Sequence, residues 1–179
     1  MFKPKFQITN LILNHIGKIE GAKEVIDYAV MVPAWEAKFK EEARARTVHF
    51  GTRIEGNELN FSQAQRVMEG GEVIARDRDV QEVINYRNVM EYLDKLGDRF
   101  GEAGPGGGIA AYTEGWLKKI HELTTEKMLD KEKIGQYRNN RVVIKNSQTG
   151  EVSFRPPLPV EVPIQVEEFF SWLNSDEGR

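Results

Sequence analysis

The sequence predicts a mainly α protein, a helical bundle carrying one β-hairpin. Three observations lead there. Apolar residues recur at three- and four-residue spacing through the first hundred positions, the signature of helices with one buried face. A single later stretch, RVVIKNSQTGEVSF, pairs two short β-prone runs across a polar, Gly-containing turn. Between these regions lies GEAGPGGG, residues 101–108, in which five of eight residues are glycine. The expected organisation is a helical N-terminal domain over 1–100, a Gly-rich linker over 101–108, and a second region over 109–179.

Taken in order, the first helix follows Thr9 and places Ile12, His15, Ile16 and Ile19 on one face. Pro33 breaks the pattern. A second helix starts at Ala34 and runs through Ile54, with Trp35, Phe39, Ala43, Val48 and Ile54 as its apolar contribution and a charged, solvated middle. Asn60 reads as the N-cap of a short third helix. Gln63 stands three residues on, the spacing at which each side chain satisfies the other's free amide, and Gly70-Gly71 end the helix. The fourth helix, DVQEVINYRNVMEYLDKLGDRF, carries Val80, Val83, Ile84, Met90, Leu93 and Leu96. Thr113 caps a fifth with Trp116, Ile120 and Leu123 on one side. Strands are expected over Arg141 to Lys145 and Glu151 to Phe154. Four prolines punctuate the exit, and Pro163 sits in the first turn of a last helix, where its missing N–H costs nothing.

Composition excludes several function classes. The net charge of -3 gives no sequence-wide attraction to nucleic acid or to anionic membrane. The absence of cysteine removes disulfides, thiolate nucleophiles and thiolate metal sites. No run approaches the roughly 18 to 20 apolar residues of a membrane helix, and Leu11-Ile12-Leu13 is broken at once by Asn14 and His15, unlike a signal peptide. The expectation is a soluble, cytoplasmic protein that binds neither nucleic acid nor membrane.

Catalytic chemistry is sparse. His15, His49 and His121 are scattered and match no metal-ligand spacing, so no metal site is expected. The serines lack a nucleophile-elbow context. Glu41-Glu42 and Glu167-Glu168 are adjacent, hence roughly 100° apart on a helix, and cannot share a substrate. The Gly-rich stretch lacks the preceding strand and the Gly-Lys-Ser/Thr ending of a phosphate loop.

Glu55, in HFGTRIEGNEL, has two readings. It is the end of a helix, with Gly56 in the left-handed cap and Asn57 tolerating the turn. Alternatively, a carboxylate fixed there pairs with an arginine elsewhere and displaces an anion that needs the same arginine. An acidic side chain is mildly disfavoured at a helix C-terminus, which gives the second reading its opening. The hairpin likewise either caps the helices or offers a free edge onto which an extended segment adds as a strand.

GTRIEGNEL resembles the inhibitory motif of Fic (filamentation induced by cAMP) proteins, Ser/Thr-x-x-x-Glu-Gly/Asn, in the subset whose inhibitory helix precedes the catalytic core. IGQYRNNRVVI, then FRPPLPVEVP and FFSWLN, is similar to the segment leading into that core, so the resemblance runs from about Trp35 to Asn174. It implies transfer of AMP from ATP, with Mg, to a Ser, Thr or Tyr hydroxyl of a target protein; some members remove AMP. It implies that Glu55 falls on the inhibitory glutamate and Gly56 on the residue after it, with Thr52 and Asn57 in the same regulatory segment. The hairpin falls on the target-docking flap, with Arg141, Val142, Val143 and Ile144 as its docking residues. Homo-oligomerisation is a further implication.

Two departures stand out. The residue four before Glu55 is Gly51 where the motif has Ser/Thr, and Thr52 comes one position late. The catalytic motif His-Pro-Phe-x-x-Gly-Asn-Gly-Arg is nowhere in the 179 residues. No catalytic residue is therefore assigned in this chain. It is expected to be inactive alone, to hold neither ATP nor Mg tightly, and to form the N-terminal regulatory part of such an enzyme. The alternatives are a free-standing inhibitor of a separate enzyme, or a helical interaction module unrelated to nucleotide transfer.

Overall fold

The computed structural model describes residues 2–30, 32–101 and 111–178. Its elements run α1 (Asn10–Tyr28), α2 (Pro33–Ile54), α3 (Phe61–Met68), α4 (Asp77–Gly101), α5 (Glu114–Thr125), β1 (Ile144–Lys145), β2 (Val152–Phe154) and α6 (Val162–Leu173). The class is mainly α with one hairpin. The chain divides into two compact units, Lys3–Arg44 on the one hand and Met1–Phe2 with Ala45–Arg179 on the other. Residues 102–108 of the Gly-rich stretch lie outside the described residues.

The first unit holds α1 and the front of α2. Thr9 caps α1, its Oγ1 accepting from the Ile12 N–H at 3.3 Å. Pro33 does not merely break the pattern; it is the first residue of α2, where the amide it lacks has no intrahelical partner. None of the described residues of this unit is buried.

The second unit contains the core. Val48 of α2, Leu59, Ala64 and Val67 of α3, and Val83 of α4 form the buried cluster, with Val80, Ile84, Tyr86 and Met90 packed against it. The buried face of α2 differs from the expected one. It is Ala45, Val48, His49 and Thr52, while Trp35, Phe39 and Ile54 are exposed. Those four positions keep the i, i+3, i+4, i+7 spacing, but two are polar. Thr52 is tolerated because its hydroxyl donates to the carbonyls of Val48 (3.0 Å) and His49 (3.2 Å) in its own helix.

Helix α3 begins with the expected capping box. Asn60 Oδ1 accepts from the Gln63 N–H at 2.9 Å, and Gln63 Oε1 accepts from the Asn60 N–H at 3.0 Å. It ends in a Schellman arrangement, the Gly71 N–H reaching the Arg66 carbonyl and the Gly70 N–H that of Val67, with Gly70 at φ +83°. α4 packs on α3 and α5. Its Asn85, fully buried, donates from Nδ2 to the carbonyls of Thr124 and Glu126 and so closes the end of α5. Asn174, after α6, exchanges two side-chain hydrogen bonds with the backbone of Tyr112, at 2.8 and 2.9 Å.

The hairpin is shorter than expected. Ile144 pairs with Phe154 and Lys145 with Val152, antiparallel, with an irregularity between the two pairs. Arg141, Val142 and Val143 are exposed backbone outside the strand. β-propensity alone does not make a strand, since ladder hydrogen bonds need an opposing segment, and β2 supplies only three residues.

Candidate functional site

Glu55 sits at the C-cap of α2. The Gly56 N–H donates to the Arg53 carbonyl at 3.1 Å and the Asn57 N–H to the Thr52 carbonyl at 3.3 Å. Gly56, at φ +87°, takes the left-handed position that this pair of bonds requires and that only glycine occupies without strain. The turn leaves the Glu55 side chain exposed and sends Asn57 inward.

Asn57 is the anchor. Its Nδ2 donates to the Asp79 carbonyl at 3.0 Å and to Glu82 Oε2 at 2.8 Å, and its Oδ1 accepts from the Leu59 N–H at 3.0 Å. Arg76 adds a second tie. Its Nε and Nη2 grip the buried Asp79 carboxylate at 2.9 and 3.0 Å, and Nη2 also donates to the Gly56 carbonyl at 3.3 Å. Nη1 lies 3.3 Å from Glu58. The hydrogen bonds to Asp79, with the Glu58 and Glu82 charges behind them, hold the guanidinium protonated beyond its usual range. The Glu-Gly-Asn string is thus a helix end clamped to the start of α4.

Of the residues assigned to this segment by sequence, the structure brings Glu55, Gly56 and Asn57 into one turn. Thr52 lies one helical turn earlier, buried, its proton committed to its own helix. The sequence reading missed Arg76, Asp79 and Glu82. Acidic residues at the start of a helix were a visible but generic signal for Asp79; nothing local links it to Asn57, 22 residues earlier.

Gly51 occupies the departure from the motif for a packing reason. A Cβ there would stand 2.7 Å from Cε2, Cζ and Oη of Tyr86 on α4. The ring fills the space that a serine or threonine would need.

The hairpin turn is held by Asn146, whose Oδ1 accepts from the Gln148 and Thr149 amides at 2.8 and 3.1 Å, with Gly150 at φ +74°. Val142, Val143, Ile144 and Phe154 are all exposed. The two-stranded sheet leaves its outer edges without a partner strand among the described residues. At its base, the Arg138 guanidinium donates to the Pro157 carbonyl. Val142 borders a hollow of about 460 Å³ with His121, Tyr137 and Arg138.

The histidines are placed by packing. His49 is buried against Phe50 and Phe61. His121 Nδ1 accepts from the Gly135 N–H at 3.0 Å, which assigns its proton to Nε2. His15 is exposed on α1. Among the described residues no group of His, Asp or Glu could hold a metal ion, and no helix is long and apolar enough to cross a membrane.

The fold is similar to the crystal structure of a Fic family protein from Desulfovibrio desulfuricans G20, with a TM-score of 0.72 and 24% sequence identity. The match covers 99% of this chain and 49% of that one, so this chain spans about half the length of the solved structure it matches. No protein-family model matches the sequence, and no curated protein does. At this identity the likeness carries the fold, a Fic fold over nearly the whole chain.

Proposed function

We propose that the chain is the regulatory front part of a Fic-type protein adenylyltransferase, restraining the enzyme through Glu55 and receiving target proteins at the hairpin. The observation that carries this reading is the posture of Glu55: an exposed carboxylate on a turn fixed by Asn57 and Arg76, within a chain that has the Fic fold. A carboxylate so held can pair with an arginine without ordering a floppy loop first, so little of the pairing energy is lost to entropy. In the proposed enzyme that arginine belongs to the catalytic loop and otherwise receives the γ-phosphate of ATP. While it is paired with Glu55, ATP binds with its α-phosphate turned away from the incoming hydroxyl.

The chemistry itself is assigned to residues outside these 179. ATP and Mg are assigned to the catalytic loop of such an enzyme, as the family resemblance implies. The hairpin contributes positioning. The outer edge beside Ile144 and the exposed Arg141–Val143 stretch offer extended backbone to which a target segment can add as a strand.

The test uses a longer chain that includes the catalytic loop. Glu55→Gly is expected to raise AMP incorporation into target or into the protein itself at least tenfold, read by intact mass. The bond that forms is between the α-phosphorus and the hydroxyl oxygen, and pyrophosphate leaves. Equal incorporation by Glu55→Gly and wild type defeats the regulatory role of Glu55.

A further inference from the structure

We infer that the hollow at the base of the hairpin is a seat for a carboxylate, the side chain of an aspartate or glutamate in the target segment that adds beside Val142. This rests on the docking role proposed for the hairpin and names the chemistry of what docks. The hollow, of about 460 Å³, is bordered by His121 of α5, by residues 136–140 and by Val142.

Its charge is unbalanced. Arg138 is half-buried, its Nε is shielded from water without a hydrogen-bond partner, and its Nη2 donates to the Pro157 carbonyl, a neutral acceptor. No ion pair joins it to a carboxylate among the described residues. The other cation at the hollow, Lys133, is already matched by Asp130 at 2.6 Å, and Glu132, the one acidic lining residue, is bonded to neither. A guanidinium partly removed from water with no counter-charge is unfavourable, and an incoming anion offsets that.

The rest of the wall supplies donors. His121 Nδ1 accepts from the buried Gly135 N–H at 3.0 Å, so its proton is on Nε2, and that N–H has no acceptor among the described residues. The side-chain amides of Gln136, Asn139 and Asn140 are exposed and likewise unengaged. A carboxylate brings two accepting oxygens to such a wall, whereas a carboxamide of the same shape brings further donors and no charge. A phosphate, with nearly two charges, is ordinarily met by a cluster of arginines. One unmatched arginine among neutral donors fits a single negative charge.

The position suits an added strand. Val142 lies two residues before Ile144, the first residue of β1. Alternate side chains of a strand share a face, so the segment places one side chain at the hollow, at the register of Val142, and turns its immediate neighbours away. The preference for an acidic residue therefore falls on a single position.

The experiment has two arms, both on the native chain. In the first, N-acetylglutamate N-methylamide and its glutamine counterpart are titrated against the backbone amides by NMR. The glutamate probe is expected to shift Gly135, Asn139 and Val142 saturably and to bind about tenfold or more tighter than the glutamine probe. Asn139→Asp, an exposed change that leaves the Arg138–Pro157 bond alone, should weaken the glutamate probe about tenfold, and Arg138→Gln at least as much. In the second arm, randomised heptapeptides are selected on the immobilised chain, and Asp or Glu should be enriched over Asn or Gln at one position, with the enrichment lost in Asn139→Asp. Equal binding of the two probes overturns the seat while docking at the hairpin stands, because a single residue adds no strand. So does glutamate binding indifferent to both variants. A saturable glutamate probe with no heptapeptide retained sinks the docking reading, and with it the assignment to a target side chain. Retained peptides without an acidic preference overturn the inference alone.

Discussion

Gly51→Ala isolates the contact that sets α2 against α4. In an exposed helix this change gains about 1 kcal/mol, because glycine loses more backbone freedom on folding than alanine. Here the new Cβ would lie 2.7 Å from three atoms of the Tyr86 ring, against about 3.5–4.0 Å for favourable carbon contacts. The ring must give by about 1 Å, and it is packed against the Val48–Val83 cluster. Such overpacking costs about 1–3 kcal/mol, leaving a net loss of about 0–2 kcal/mol, or a fall in Tm of up to about 8 °C for a chain of this size. Tyr86→Leu removes all three offending atoms. In that background Gly51→Ala should stabilise by up to about 1 kcal/mol, so the sign reverses. Urea denaturation of the four proteins gives a coupling of about 1–3 kcal/mol, provided m is unchanged. An alanine that stabilises both backgrounds, or costs the same in both, refutes the packing account. Gly51→Ser adds the same Cβ. The substitution that would complete the Ser/Thr motif is therefore expected to disturb the helix that carries Glu55.

Asn57→Ala strips three hydrogen bonds from a buried position and should cost about 2–3 kcal/mol, a Tm loss of about 4–12 °C; Asn57→Asp should fail to rescue it, since a carboxylate would face the Asp79 carbonyl and Glu82. Stability should fall at both ends of the pH scale through one cluster, in which Glu114 and Lys118 of α5 meet Tyr137. The Lys118 ammonium, 2.8 Å away, and then Tyr137 hold the Glu114 carboxyl below its usual 4.5, so its contribution is present above pH 4.5 and lost as pH falls through the lowered value. Burial, and then Glu114, push the Tyr137 phenol above 10.0, so its contribution is present below pH 10 and lost as pH rises through the raised value. Lys118→Met should flatten the acid loss and Tyr137→Phe the alkaline one in thermal melts against pH; slopes unchanged in both variants would contradict the assignment.

Local chemistry was legible in the sequence wherever a few neighbouring residues decide the structure. The Asn60–Gln63 capping box, the caps at Gly56 and Thr113, and the Gly-containing hairpin turn all belong to this kind. What escaped depends on distant partners. His49 and Thr52 lie in the buried face of α2 but carry polar atoms, so a count of apolar residues passes over them and selects the exposed Trp35 and Ile54 instead. Strand length escaped because Val142 and Val143 favour strands while nothing opposite pairs with them. Within the candidate site, Glu55 and Gly56 were readable and the clamp beneath them was not.

That clamp follows a rule visible across the second unit. Helix C-termini leave unsatisfied carbonyls and a negative dipole end, and α4 with the residue before it attends three of them. Arg76 donates to the Gly56 carbonyl beyond α2, Arg87 donates to Met68 at the end of α3 at 3.0 Å, and Asn85 closes α5. Each of these ends then turns through a residue at positive φ, namely Gly56, Gly70 and Lys127. The direction of Glu55 is consequently a property of how α2 meets α4, and the Arg76–Asp79 pair completes the element as much as Gly56 does. A Glu-Gly-Asn string lacking such a pair would end a helix equally well. It would not fix the backbone from which Glu55 projects, and in the enzyme proposed above a segment that must be ordered before its carboxylate can pair is a weaker competitor for an arginine than one already in place.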